Sequence, residues 1–281
     1  VVICLFLSFS LSISKGASGP LATVATFTDD NTIELLSVNT NLLYIIAHSF
    51  EGQTKHIHIF SIPSPSTNNV LSMFAKPIKT ISHENIFHSF LAAKDSVYYI
   101  KENPADTFSI YRKNSLLTDN EIMVFENITH DGKSLTYTTD KEYNTDNKIF
   151  YVSADSFLGI LKIDVQKNKI DLFQTFGPNP SDNFLQPRGI LYHNQLLYVC
   201  DKYRVLAFKN DNLVRVYEPV LMPIRLTVWR TYVVIAAIDR TYFFDLYSAK
   251  HLYTHIMESI DVTSSSDYLF IAGKNQVQVF Q

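Results

Sequence analysis

FGPNPSDNFLQPRGILYHNQLLYVCDKYRVLAFKNDNLVRVYEP, residues 176–219, holds four short apolar runs with turn-forming residues between them. The runs are GILY, LLYVC, RVLAF and LVRVY, each the length of a strand and none long enough for a helix. His193-Asn194-Gln195, Asp201-Lys202-Tyr203 and Asn210-Asp211 supply the punctuation. Such a segment reads as a four-stranded antiparallel meander, a unit that cannot bury its apolar faces alone.

Copies of the same unit lie on both sides. The second run recurs as LLYIIA (42–47), SVYYIK (96–101), KIFYVS (148–153), YVVIAA (232–237) and DYLFIAG (267–273). Aligned on Tyr44, Tyr98, Phe150, Tyr198, Val234 and Phe270, the copies stand 36 to 54 residues apart. That is the spacing of four-stranded propeller blades, with longer loops in the first half. Each copy has a short strand before it and two after, except the last, where ESIDVTS, DYLFIAG and QVQVFQ supply three strands before Gln281. Residues 21–28, LATVATFT, are strand-like and precede the first copy. The fold class expected is therefore all-β, a six-bladed propeller whose last blade is closed by the N-terminal strand 21–28. Closure removes the sheet edges an open array would expose. A seventh blade within 102–147 is the alternative left open by the spacing. The polar stretch 128–147 is expected to carry an exposed loop after a short inner strand.

Composition agrees. Apolar residues make up 46% of the 281, with 16 Tyr and 20 Phe, and charged residues only 18%, which suits pleated strands and opposes disorder. The net charge of −3 and the lack of a Lys/Arg cluster argue against a nucleic-acid partner. Val1–Ile13 is an apolar run broken by serines, too short for a span and similar to the apolar region of a signal peptide whose start is truncated. The division expected is 1–16 signal peptide and 17–281 propeller, with a secreted or lumenal address and no membrane span in the mature chain. Asn127-Ile128-Thr129 is a glycosylation sequon. Cys4 falls in the presumed leader, leaving Cys200 alone, so this is no disulfide scaffold. Within the apolar strand LLYVC, Cys200 reads as a packing residue.

The opening stretch resembles an NHL repeat, the blade of a six-bladed propeller family. The matching residues are Gly177, Phe184, Pro187, Gly189, Ile190, Tyr198, Val199, Asp201, Arg204, Val205 and Phe208. The turn from Asp201 to Arg204 is shorter than the family's, and other blades keep only the strand pattern. The resemblance is thus to the broad class of NHL-repeat-like and SMP-30-like propellers, and it implies fold more than function. Physical roles account for the residues: Pro187 suits the start of a strand, Gly189 lets the inner strand approach crowded surroundings, and Asp201 and Arg204 pair across a tight turn.

The same resemblance implies two functional classes. One is a binding module for a protein or glycan, acting as a monomer without a cofactor. For it Trp229, Arg230, Tyr232 and Arg188 form the candidate ligand-binding set, since aromatics beside Arg are common binding anchors. The other is a metal-dependent hydrolase or lyase with calcium or zinc at the central channel. Its candidate metal ligands are Asp155, Asp201 and Asp239, which follow the second strand of successive blades and offer oxygen to calcium. His56 and His58, two apart on a strand, face one side and could grip zinc with His48, His83 or His88 as a third ligand, although their strand reads as an outer one. The binding module is the expectation.

Overall fold

The computed structural model describes residues 22–26, 31–39, 41–49, 55–64, 76–83, 89–93, 96–103, 107–114, 120–135, 140–144, 147–154, 159–173 and 184–281. Every regular element among them is a strand, and six four-stranded antiparallel sheets form the blades of a propeller. Residues 176–219 supply the fourth blade. Its strands are Pro187–His193, Leu196–Asp201, Arg204–Lys209 and Asn212–Tyr217, paired in sequence order. Asn194 and Gln195 both have positive φ (47° and 63°), as do Asn210 and Asp211 (49° and 66°). Two such residues in a row make the tight hairpin turn whose twist matches the strands. The pattern of Asn and Asp between apolar runs therefore marks the hairpins by their chemistry.

The inner strands of the six blades are Asn31–Asn39, Ser89–Ala93, Asp140–Asn144, Pro187–His193, Pro223–Trp229 and Asp261–Ser264. Each lies beside the next, and the sixth returns to the first, so they enclose an axis. The last blade takes three strands from 261–280 and its outermost strand from the other end of the chain. Ala22–Thr26 pairs antiparallel with Gln276–Phe280, with Ala22 opposite Val279 and Thr26 opposite Gln276. The expected closure by strand 21–28 is thus present over Ala22–Thr26.

The expectation for 128–147 needs correction. A small hairpin, Thr129–His130 with Lys133–Ser134, turns at Asp131 and Gly132, both at positive φ. It comes before the inner strand Asp140–Asn144 and not after one. Its flanks are apolar anchors: Ile128 and Leu135 are fully buried between blades 2 and 3. The Ile128 amide donates to the Phe108 carbonyl at 2.7 Å and the Leu135 amide to the Ile128 carbonyl at 3.0 Å. No seventh blade occupies the region among the described residues.

The core lies in six seams, one between each pair of neighbouring blades. Side chains of a strand alternate between faces, and here both faces are covered. Tyr198 and Cys200 pack toward blade 5, whereas Leu197 and Val199 pack toward blade 3. Phe270 and Ala272 point to blade 1, Leu269 and Ile271 to blade 5. This two-sided burial is why the second strands read as unbroken apolar runs. Cys200 is fully buried in the blade 4–5 seam, in line with a packing role.

Gly189 is the tightest point in that seam. A Cβ built there would collide with the Ile224 carbonyl oxygen and lie 3.0 Å from both Arg225 Cα and Cys200 Sγ. The glycine thus serves the approach of blade 5's backbone. Asp201 is fully buried; its Oδ1 accepts the Leu185 and Gln186 amides at 2.8 and 2.6 Å, and its Oδ2 accepts Arg204 Nε at 3.2 Å. The Arg204 pairing follows the sequence reading. The two amides, which tie down the chain's approach to blade 4, do not.

Gly189→Ala is expected to destabilise the fold by about 3 kcal/mol, the cost of forcing a methyl against fixed backbone. Asp261, buried at the start of the sixth inner strand, accepts the Leu36 amide at 2.6 Å and the Val262 amide at 2.7 Å. Asp261→Ala leaves both donors in the interior and should cost about 2–4 kcal/mol, with Asp261→Asn costing less because one acceptor oxygen survives. Urea denaturation of the three variants measures this; losses under about 0.5 kcal/mol would contradict the assignment of both residues.

Candidate functional site

Antiparallel order gives the propeller two unlike faces. One carries the turns from inner to second strand and from third to outer strand. The other carries the turns from second to third strand and the crossings between blades. The first is here termed the hairpin face, the second the crossing face.

The hairpin face opens into an axial cavity of about 670 Å³. Its lining comes from the late residues of the inner strands and the turns that follow: Ser37 and Val38, Leu91 and Ala92, Leu191 and His193, Thr227, Val228 and Arg230, and Thr263 to Ser266. Several hydroxyls also bridge blades. Ser37 Oγ accepts the Ala92 amide at 2.8 Å, and Ser264 Oγ meets Thr227 Oγ1 at 2.9 Å while donating to the Val228 carbonyl. His193 is half-buried, and that burial pushes its pKa below the ordinary 6.5, so the imidazole is neutral at pH 7.

The predicted ligand-binding residues divide between the faces. Trp229 ends the fifth inner strand and is buried against blade 6, packed with Val234 and Val262. Its indole N–H has no hydrogen-bond partner among the described residues, so packing holds the ring. Arg230 follows at φ 56°, is exposed, and lays its guanidinium 4.6 Å from the Trp229 ring centroid. Tyr232 opens the next strand with its ring 6.1 Å from that of Trp229. These three stand together on the hairpin face, and of them Arg230 lines the cavity. Arg188 is the second residue of its inner strand, hence near the crossing face; its carbonyl accepts Ser153 Oγ at 2.5 Å.

Of the predicted metal ligands, Asp201 and Asp239 sit at the crossing-face end. Asp155 lies outside the described residues. Asp201 already accepts two amides and Arg204, and exposed Asp239 pairs with Arg240. No group of three or more His, Cys, Asp or Glu able to hold a metal comes together among the described residues. Calcium needs several converging oxygens, and the two described candidates, Asp201 and Asp239, are each paired with an arginine. His56 and His58 stand on the third strand of blade 1 with ring centroids 6.2 Å apart. Each turns its Nδ1 toward a hydroxyl of the outer strand, Ser82 at 3.1 Å and Thr80 at 3.0 Å. The side chains of His83 and His88 lie outside the described residues. Asn127 is exposed at φ 50°, its Oδ1 accepting Thr107 Oγ1.

One feature of the crossing face escaped sequence reasoning. Leu185, Tyr203, Leu221, Ile238 and Ile256 are each about half exposed or more, Ile256 reaching 87%. They occupy successive crossings and turns of blades 4 to 6, and those segments are knitted together. The Val220 and Met222 amides donate to the Tyr203 and Lys202 carbonyls, both at 3.0 Å. Ser259 Oγ donates to the Ala237 and Arg240 carbonyls, again at 3.0 Å. The signal available in the sequence was a large apolar residue in each connection, among them Leu221 within EPVLM and Ile256 within IMESI. A single such residue means little, and only the fold lines them up.

No protein-family model matches the chain, and no curated protein matches it in sequence. Among solved structures, the luciferin-regenerating enzyme is similar in fold, with a TM-score of 0.61 at 12% identity over 94% of this chain and 96% of that one. A chain of the nidogen/laminin complex gives a TM-score of 0.58 at 13% identity, covering 83% and 85%. A protein of unknown function from Bacteroides thetaiotaomicron gives 0.59 at 12% identity, covering 94% and 72%. At such identities the likeness is one of fold, and it spans proteins that bind and proteins that catalyse.

His58 gives the fold a pH dependence. Burial first, and then neighbouring His56, lower its pKa from 6.5 to about 4. The folded state therefore resists a proton that the unfolded chain accepts, and stability falls as pH drops from about 6.5 to about 4. His58→Gln is expected to remove on the order of 2 kcal/mol of that acid loss. Parallel stability curves for wild type and variant across this window would contradict the assignment.

Proposed function

We propose that this propeller is an extracellular protein-binding module that docks its partner on the crossing face of blades 4 to 6. The arc of Leu185, Tyr203, Leu221, Ile238 and Ile256 carries the reading. Large apolar side chains held about half exposed or more on a rigid frame are what a partner covers. Lys202 lies 5.1 Å from the Tyr203 ring and adds a cation to the patch. The nidogen/laminin complex, in which a similar fold takes part in a protein assembly, supports a protein partner. The leader-like run Val1–Ile13 and the exposed sequon at Asn127 support the extracellular address, and no described helix is long and apolar enough to cross a membrane. The reading assigns the module no catalytic step and no cofactor.

A photo-crosslinking residue placed at Tyr203 is expected to give one discrete adduct in extracellular extract. The same residue at Tyr247, exposed on the hairpin face, should give none. The double change Leu221→Asp and Ile256→Asp should weaken capture at least tenfold, about 1.4 kcal/mol, while leaving stability within about 0.5 kcal/mol. Equal labelling from both positions, or capture untouched by the double change, would sink the reading.

A further inference from the structure

The axial cavity on the opposite face has a chemistry of its own. Its described lining carries six hydroxyls, from Ser37, Thr227, Thr263, Ser264, Ser265 and Ser266, with one guanidinium, one imidazole and no carboxylate. Arg230 has no carboxylate partner among the described residues. A guanidinium remains charged at every ordinary pH, so this cavity holds a fixed positive charge with its fork unspent. The guanidinium lies over the Trp229 ring, 4.6 Å from its centroid, and a guanidinium fork can meet a carboxylate with two parallel bonds. One cation answers one negative charge; a polyphosphate would call for several.

The remaining lining discriminates further. Thr263 Oγ1 has no partner among the described residues. Ser266 Oγ is turned to Asp267, and Ser265 Oγ receives the Tyr268 amide at 3.1 Å. Hydroxyls both donate and accept, and neutral His193 does the same with its two nitrogens. Partners that also donate and accept at many points are polyols. The volume of about 670 Å³ lies within the range of small-molecule sites and far exceeds the needs of a bare ion. Aliphatic contact from Val38, Leu191 and Val228 can cover the C–H face of a sugar ring.

We propose that the axial cavity binds a sugar acid, a polyhydroxylated molecule with one carboxylate. Arg230 grips the carboxylate, and Thr263, Ser265 and His193 meet the hydroxyls. This site lies on the face opposite the protein-docking arc and stands or falls independently of it.

The protein carries its own reporter. Trp229 is the sole tryptophan of the chain and lies directly beneath the Arg230 guanidinium, so its fluorescence follows that group. Titration with D-glucuronate should give a saturable fluorescence change, with Kd at least tenfold tighter than for D-glucose or acetate. Arg230→Gln should weaken glucuronate at least tenfold, and Thr263→Val severalfold, both with melting temperatures near that of the parent. Calorimetry on the same samples checks the affinity without the reporter. The proposal is overturned by an absence of saturable glucuronate binding up to about 10 mM, weaker than about −3 kcal/mol. Acetate binding as tightly as glucuronate overturns it too, as does undiminished glucuronate binding in both variants.

Discussion

Everything in this propeller depends on how the free edges of its inner strands are satisfied. An inner strand pairs with its own blade on one side only, and its other edge turns to the axis. Unpaired backbone amides and carbonyls there are costly wherever water is excluded. Short polar side chains of neighbouring blades meet that need. Asp261 accepts the Leu36 amide across the seam between the last and first blades, and Ser37 accepts the Ala92 amide one seam further on. Ser264 donates to the Val228 carbonyl, and Ser153 to that of Arg188. The Ile33 amide reaches the Lys274 carbonyl directly at 2.9 Å. Blade is joined to blade near the axis by these bonds, and by apolar packing further out.

Ring closure follows from the same logic. The seam between blades 6 and 1 is joined three ways: by Asp261, by the Ile33 amide, and by an apolar cluster that includes Phe270, Val279 and Leu43. The strand Ala22–Thr26 adds a fourth tie, because a segment that precedes blade 1 completes blade 6. With both faces of the sheets turned to neighbouring blades, the two ends of the propeller and the rim of outer strands face outward. The hairpin end is polar and concave. The crossing end carries the exposed apolar arc over blades 4 to 6. Two such unlike surfaces on one frame can serve two different ligands.

Much of the architecture was legible because blades repeat. Residues with a Tyr or Phe amid an apolar run recur at Tyr44, Tyr98, Phe150, Tyr198 and Phe270, and each marks a second strand buried on both sides. The 128–147 region was misread because its apolar anchors, Ile128 and Leu135, are single residues flanking a polar hairpin and show no periodicity. The site was harder to read. Arg230 and Trp229 stood out as an Arg beside the sole Trp. The hydroxyls of Thr263 to Ser266 looked like ordinary turn residues. The spacing of Asp201 and Asp239 suggested a shared metal site, yet each is committed to its own local partner.

The amino-acid sequence by itself determined the all-β class, the repeating four-stranded blade and the closure by the N-terminal strand, while the choice of six blades over seven came with the structure. These rest on local alternation and turn chemistry, which act over a few residues and repeat. The tertiary structure alone decided which side chains meet. Residues from five connections became one apolar arc, and the ends of five inner strands became one polar cavity. Such meetings join positions far apart in the chain, from Leu185 to Ile256 in the arc and from Ser37 to Ser266 in the cavity, and no local preference records them. The same distinction settled Gly189: its lack of a side chain is written in the sequence, but the backbone of the next blade that requires it is visible only once the blades are packed.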